Sequence, residues 1–274
     1  MAEQDPSFRE FEHQGWSAEN VAAGYHDHLS PVTTQAIEAL LDAAGVTRGV
    51  RVLDVATGAG CAAAAAIGRG ADAVGIDFSA TQVALARRLY PELDFREGDA
   101  EALPFPESSL DAVVSNFGVL HFPDPDAFLR EAFRVLRPGG RIAFSVWAPA
   151  QDSAGFGIIY GLVQAHGRMD VPLPSGPSFF LFSDPAQCED SLAAAGFRSV
   201  TVAKVSLVWP LASPDGLFEA IMQGSVRAAA LLRAQTPEAL ATIRDAMRQA
   251  VATYARDGAF ELPMPAIVAA AEKP

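Results

Sequence analysis

The chain has 274 residues, half of them hydrophobic and 19% charged, with 33 acidic against 20 basic side chains and a formal net charge of −13. At roughly 100–200 residues per domain, this length fits one large domain or one domain with a substantial insertion, and its core needs no disulfide or metal staple. The acidic balance repels phosphate backbones and anionic lipid surfaces, which argues against nucleic acid and membranes as partners.

Cys61 and Cys188 are the two cysteines, far apart and in no metal-type spacing, which points to a reducing compartment without disulfides or zinc. Residues Met1-Ala2-Glu3-Gln4-Asp5 lack the cationic and apolar regions of a secretory signal. The most apolar short run, Cys61 to Ile67, falls far below the roughly 18–20 residues of a membrane span. A cytoplasmic location without membrane insertion is expected, and monomer and homodimer both stay open. All basic residues except Lys204 and Lys273 are arginines, a compositional bias that carries no function.

In chain order, Ser17 is placed to cap a short helix ending near Tyr25, and Ser30-Pro31 opens one running to about Ala44. From about Arg51 to Val202 short apolar runs alternate with helical patterns, the signature of βα units on a parallel sheet. Arg51–Val55 is the first strand, followed by a glycine turn and a helix from Cys61. Ala71–Asp77 is the second, Ser79-Ala80-Thr81-Gln82 a capping box for a helix through Leu89, and Leu93–Glu97 the third. Leu110–Ser115 is the fourth strand, after which Asp124-Pro125 opens a helix to about Val135. The turn Arg137-Pro138-Gly139-Gly140 precedes a fifth strand, Arg141–Trp147. Ser183-Asp184-Pro185 starts a helix that Gly196 ends, valine-rich Ser199–Trp209 is a sixth strand, and Pro265–Ala271 a seventh. Two stretches break the alternation: Ala148–Phe182, rich in proline and aromatics, and Leu211–Phe260, which reads as two or three amphipathic helices. Such insertions are lids or binding elements, or they merely thicken the core.

Chemistry concentrates where the strands end. In Val52-Leu53-Asp54-Val55-Ala56-Thr57-Gly58-Ala59-Gly60 a strand stops, the chain turns through two glycines and a helix begins, so backbone N–H groups face any anionic ligand. Gly58-Ala59-Gly60-Cys61-Ala62-Ala63 even satisfies the dinucleotide pattern G-x-G-x-x-A. Asp77 ends the second strand, where a carboxylate can accept both ribose hydroxyls, and Asp99 follows the third, within reach of an adenine edge. Three acids at 54, 77 and 99 thus fall on the carboxyl edge of the sheet, where open α/β folds bind ligands. Asp54 reads as a structural acid that fixes the glycine turn, and Asp99 alternatively as the cap of a local turn.

With Gly75-Ile76-Asp77-Phe78-Ser79, Glu97-Gly98-Asp99-Ala100-Glu101-Ala102-Leu103-Pro104-Phe105, Asp111 to His121 and Leu136-Arg137-Pro138-Gly139-Gly140 in order, the sequence resembles the class I S-adenosylmethionine-dependent methyltransferases. Within them it is similar to the ubiquinone/menaquinone-biosynthesis C-methyltransferases, whose domain is methyltransferase type 11. The resemblance implies a Rossmann-like, seven-stranded, mostly parallel α/β sheet with helices on both faces and a reversed last strand. It implies one domain over 1–274, with a cofactor core at about 30–148, an N-terminal lid at 1–29, and helical cap insertions at about 148–182 and 211–260. Gly58 and Gly60 would line the methionine part of S-adenosylmethionine, Asp77 would hold the ribose and Phe78 would pack on the adenine. Asp99 with the Ala100 backbone would read the adenine amino group, Asn116 and Phe117 would floor the sulfonium, and Tyr25 and Thr34 would fold over the cofactor. Ala56 departs from the glycine many members carry there.

His121, just past that floor, suits a general base for a hydroxyl acceptor, or is a histidine bonded to loop backbone. His166 and Tyr160 are weaker candidates, and His26-Asp27-His28 lacks further ligand spacing for a metal. Aromatic and aliphatic residues of the insertions (Phe156, Ile158, Ile159, Tyr160, Phe179, Phe180, Phe182, Phe218, Ile221, Met222) would wall a small-molecule acceptor pocket. The expected reaction is methyl transfer to an oxygen or activated carbon of an apolar or aromatic small molecule. A nicotinamide-dependent dehydrogenase would share the glycine turn and Asp77 but would not call for Asp99, Asn116 and the 136–140 turn. A non-catalytic, methyltransferase-like cofactor-binding protein is the other alternative.

Overall fold

A computed structural model describes residues 6–274. The stretch Met1–Asp5, read above for a leader and as the start of the lid, lies outside the described residues. The chain opens with α1 (Pro6–Ser17) and α2 (Glu19–Gly24), a π-helical turn (Tyr25–Leu29), α3 (Ser30–Thr33), a 3-10 turn (Thr34–Ala36) and α4 (Ile37–Ala43). Strands β1 (Arg51–Val55), β2 (Asp72–Asp77) and β3 (Asp94–Glu97) alternate with α5 (Cys61–Gly68) and α6 (Ala80–Leu89). Next come β4 (Leu110–Asn116), a 3-10 turn (Val119–His121), α7 (Pro125–Val135) and β5 (Leu136–Trp147). The remainder is α8 (Ala154–His166), α9 (Pro185–Ala194), β6 (Arg198–Val205), β7 (Val208–Leu211), α10 (Gly216–Gly224), α11 (Arg227–Arg233), α12 (Pro237–Ala252), β8 (Ala255–Arg256), β9 (Ala259–Pro263) and β10 (Ala266–Glu272).

Seven strands form one sheet in the order β3-β2-β1-β4-β5-β10-β6. The first five run parallel, and β10 lies antiparallel between β5 and β6. The α/β class and the reversed strand agree with the expectation. Strand periodicity divides the interior into two layers. Leu53, Val55, Val113, Ile142, Phe144, Ile267 and Ala269 face one layer, with α7 and the later helices. Val52, Ala112, Val114, Ala143, Val268 and Ala270 face the other, with α4, α5 and α6. Small side chains dominate this second face, which lets the alanine-rich helix α5 pack through Ala62, Ala63 and Ala66.

Helix starts follow their caps. Ser79 accepts from the Gln82 N–H, Asp124 from Ala127 and Asp184 from Ala186. Four boundaries differ from the sequence reading. Ser17 closes α1 instead of capping α2, whose N-cap is Ala18 with extended backbone and no side-chain bond. Ser30 does begin α3, but as a continuation of the π turn, its N–H bonding to the Tyr25 carbonyl, and the expected run to Ala44 is broken by a 3-10 turn before α4. The expected turn at 137–140 is drawn into β5, where Gly139 N–H donates to the Lys273 carbonyl and Lys273 N–H to that of Gly140. The expected sixth strand is two: β6 joins the main sheet, whereas β7 pairs with β9 in a separate sheet of order β7-β9-β8. The 211–260 stretch does hold three helices, α10 to α12. Among the described residues no helix is long and apolar enough to cross a membrane.

The end of α7 is closed by a buried lysine. Lys273 Nζ donates to the Phe133 and Leu136 carbonyls, both at 2.7 Å, and sits 4.6 Å from the Phe133 ring centroid. Positive charge at a helix C-terminus meets the orphan carbonyls and the negative dipole end together. Lys273→Met keeps the stem but loses both bonds, and should lower unfolding free energy by about 1.5–3 kcal/mol in denaturant titrations. A loss under about 0.5 kcal/mol would show that water replaces the ammonium at no cost.

Candidate functional site

A cleft opens at the carboxyl ends of β1, β2 and β4. The two carboxylates that line it, Asp54 and Asp77, belong to the strands themselves. Asp54, in β1, accepts from the Thr57 hydroxyl at 2.6 Å and the Ala63 N–H at 3.1 Å, tying the glycine turn to α5. Asp77, at the end of β2, accepts from Gly58 N–H and Ser79 N–H, each at 3.0 Å. Between them Gly58 and Gly60 adopt φ of +54° and +87°, conformations that glycine enters freely. Burial pushes Asp54 up to about 7 and Asp77 up to about 6, each against the pull of its hydrogen bonds.

At the cleft, two non-glycine residues share this left-handed geometry. Ala56 follows β1 at φ +55° and Phe117 follows β4 at +58°. The glycine that many relatives of this sequence pattern would carry at 56 thus answers a real backbone demand. Phe117 is held by Ser145, whose carbonyl and hydroxyl both accept its N–H, at 3.1 and 3.0 Å. The same hydroxyl donates to Asn116 Oδ1, while Asn116 Nδ2 donates to the Thr33 carbonyl. The Asn116–Phe117 floor is therefore fixed from below, with the Phe117 ring 4.2 Å from that of Trp147.

Three compartments adjoin. The first, about 740 Å³ including its open mouth, is lined by Tyr25, Thr34, Gly58, Asp77, Phe78, Asn116, Phe117 and His121, among others. A second, sharing Phe78, His121 and Phe122, reaches Asp99 and Ala100. A third shares Trp16, Tyr25, Phe117 and His121 with the first and extends to Trp147, Phe156, Tyr160, Phe179, Ile221 and Arg227. Of the sequence-predicted site residues, Tyr25, Thr34, Gly58, Asp77, Phe78, Asn116, Phe117 and His121 converge in the first compartment. Asp99 and Ala100 join through the second, and Gly60 stands in the turn beneath. Of the expected acceptor walls, Phe156, Tyr160, Phe179 and Ile221 line the third compartment. Ile159 and Phe182 are buried core residues, and Phe218 packs under Arg244. His166 is exposed at the end of α8 and lines none of the three.

Sequence reasoning missed α1 and what it carries. The helix lies across the compartments, its last carbonyls at Trp16 and Ser17 taking the hydroxyls of Ser79 and Thr81. Arg9 pairs with Asp99 and Glu101, so Asp99 meets a cation as well as the Glu101 N–H that closes a local turn. Glu12, 1% exposed, takes Trp16 Nε1–H at 2.9 Å, His121 Nδ1 at 3.0 Å and Arg227 Nε–H at 2.5 Å. His121 is thus bonded to a carboxylate, not to loop backbone. Burial raises the Glu12 carboxyl, but His121 and Arg227 outweigh it and hold it below the usual carboxylate range. Burial also keeps the His121 imidazole below its ordinary value, against the pull of Glu12. The available signal was the four-residue recurrence of Phe8, Glu12 and Trp16, one face of a helix. Among the described residues no group of three or more His, Cys, Asp or Glu is arranged to hold a metal.

Residues 53–144 match the methyltransferase domain family. A demethylmenaquinone methyltransferase of Beutenbergia cavernae is 45% identical over 123 residues, 43% of this chain and 51% of that protein. One of Thermus thermophilus is 38% identical over 165 residues, 54% of this chain and 74% of the relative. The chain belongs to this methyltransferase family. It spans about half the length of the Beutenbergia member. Among solved structures, a Haemonchus contortus phosphoethanolamine N-methyltransferase 2, in complex with phosphomonomethylethanolamine and S-adenosylhomocysteine, matches with a TM-score of 0.60. At 21% identity over 98% of this chain and 61% of that one, it is a likeness of fold. The region matched to the methyltransferase family holds Asp54, Asp77, Asp99, Asn116 and His121 but ends before the α8–α12 helices.

Two outcomes follow from this geometry. A methyl group on Gly118 would sit 2.6 Å from both Ala56 Cβ and Ser115 Oγ. Gly118→Ala should therefore cost about 1–3 kcal/mol in thermal melts, and Ala56→Gly, by removing one clashing atom and a left-handed alanine, should restore part of it. Because Asp54 and Asp77 titrate higher folded than at their ordinary 3.8, the folded state binds more protons than the unfolded chain from about pH 4 to 7. Their contribution therefore weakens as pH rises through that window. Asp54→Asn should flatten the slope of Tm against pH between 5 and 7, and an unchanged slope would show that Asp54 stays ionised.

Proposed function

We propose that the chain transfers a methyl group from S-adenosylmethionine to an oxygen or activated carbon of an apolar or aromatic small molecule. The observation that carries this reading is the junction of compartments. A polar cradle built by Asp77 and the Gly58 turn opens, past Trp16, Tyr25, Phe117 and His121, into an aromatic chamber. Family membership supports the same reading.

The residues fit the nucleoside and its sulfonium tail. Asp77 presents a carboxylate whose two oxygens are already oriented by backbone N–H groups, leaving lone pairs for ribose hydroxyls. Phe78 stands between the first two compartments, where a planar base can pack, and Asp99 with Ala100 lies at the far end. The tight turn at Gly58 and Gly60 gives the amino-acid tail a side-chain-free approach. Bound there, the cofactor supplies a methyl group on a positively charged sulfur, and methylation releases one acceptor proton with S-adenosylhomocysteine. Phe117, pinned by Ser145, holds the floor of this junction, and the chamber beyond orients the acceptor and keeps water out. The described part of the N-terminal lid, residues 6–29, and the insertions 148–182 and 211–260 act as lid and cap over the 30–148 core. The acidic balance and the aromatic chamber support a small-molecule acceptor over nucleic acid, and the two free cysteines support a cytoplasmic site of action. The Beutenbergia and Thermus relatives make reduced demethylmenaquinone the first acceptor to try.

Asp77→Ala should weaken S-adenosylhomocysteine binding by about 1.5–3 kcal/mol in calorimetry, the scale of hydrogen bonds to a charged group. Wild-type protein should be stabilised thermally by S-adenosylhomocysteine and not by NAD. The reverse would move the chain to nucleotide-dependent redox chemistry, and ligand binding without turnover of any acceptor would favour a non-catalytic role.

A further inference from the structure

We infer that Glu12 is the positioning residue of a Glu12–His121 acid–base pair, assembled only when helix α1 is seated over the site. The inference rests on the methyl-transfer reading and deepens it. Glu12 comes from α1, while His121 sits on the 3-10 turn after β4, 109 residues away. Three donors saturate the carboxylate: the Trp16 indole, His121 Nδ1 and the Arg227 guanidinium. A carboxylate that pairs with an arginine has no proton to give, so Nδ1 must carry the hydrogen and Nε2 keeps its lone pair. Among the described residues Nε2 has no hydrogen-bond partner, and the ring borders all three compartments.

Arg227 completes the assembly. Besides Glu12 it donates to the Leu120 carbonyl at 3.0 Å and the Pro177 carbonyl at 3.0 Å, and it lies over the Phe8 ring at 4.5 Å. One guanidinium thus ties α1 to the His121 turn, to the 167–180 loop and to α11. Its charge is spent on Glu12, so among the described residues the chamber offers no free cation to an anionic acceptor and favours a neutral, ionisable O–H. In the proton step the acceptor O–H bond breaks, its electron pair stays on oxygen and the proton forms a bond to Nε2. The imidazolium so formed faces the Glu12 carboxylate, which stabilises it. The other titratable groups lining the compartments around the ring are Tyr25 and Tyr160 in the chamber, Asp54, Cys61 and Asp77 in the first compartment, and Arg9, Glu10, His13, Asp99 and Glu101 on the outer side.

The test uses full-length, ¹⁵N-labelled protein with S-adenosylhomocysteine as the probe ligand. Imidazole ¹⁵N shifts of His121, assigned with His121→Gln, should report a single Nδ1–H tautomer in wild type and a mixture in Glu12→Gln. With ligand, α1 amides should gain exchange protection together with that tautomer. With reduced demethylmenaquinone, Glu12→Gln should lower kcat about 100-fold while S-adenosylhomocysteine affinity changes by less than about threefold. A mixed tautomer in wild type, a single one retained in Glu12→Gln, or the tautomer fixed while α1 exchanges freely would each overturn the inference. Failure of S-adenosylhomocysteine to bind would instead sink the cofactor reading, and the tautomer measurement on free protein would still decide the pair. An inert wild type toward demethylmenaquinol leaves the decision to the same spectra.

Discussion

The site depends on a shortage of hydrogen-bond partners where parallel strands stop. Past Val55 and Asp77 the chain must leave the ladder and enter helices without covering the cleft. Backbone N–H groups there lose their sheet partners and cannot remain bare in a buried place. Asp54 and Asp77 supply the acceptors, taking Ala63, Gly58 and Ser79 N–H groups and the Thr57 hydroxyl. Because side chains do this work, the cleft stays open above them. The cost is two desolvated carboxylates whose acidity is weakened, a tension that a ligand rich in hydroxyls relieves by adding donors.

A second buried charge is handled differently. Glu12 is paired with Arg227 and given two further donors, the arrangement under which an interior ion pair is tolerated. Its members come from three distant parts of the chain, so the cluster forms only in the assembled fold. Asp54 and Asp77 build a preformed cradle from local sequence; Glu12 and Arg227 close it from outside. Floor and roof are thereby built from different parts of the chain.

That difference also explains what the sequence disclosed. The strands and caps around Asp54, Asp77, Asp99 and Asn116 were legible because each of these residues sits a fixed step beyond a local pattern of apolar run, glycine or cap. Helix α1 was not, since an acid on its buried face breaks the apolar stripe that reveals a helix. Arg227 carries no local pattern that sets it apart from the other arginines, and its partner lies 215 positions away. The 199–209 stretch reads as one valine-rich strand because periodicity reports extension and not partner; Ser206 and Leu207 mark where pairing passes from β10 to β9. At 137–140, proline and glycines signalled a turn, and the chain does bulge there, with Gly139 at φ +76°, while its backbone also pairs with the far end of the chain.

Strand β10 imposes an order of events on synthesis. It separates β6 from β5, so residues 198–205 have no place in the sheet until residues 266–272 have left the ribosome. The five strands β3-β2-β1-β4-β5 can close earlier from neighbouring units, with the β5 margin waiting. A nascent chain at that stage already owns the cradle around Asp77 but lacks Arg227's helix packed against it and two of the seven strands of its sheet. During that interval the unpaired edge of β5 is the part of the molecule most in need of a chaperone's cover.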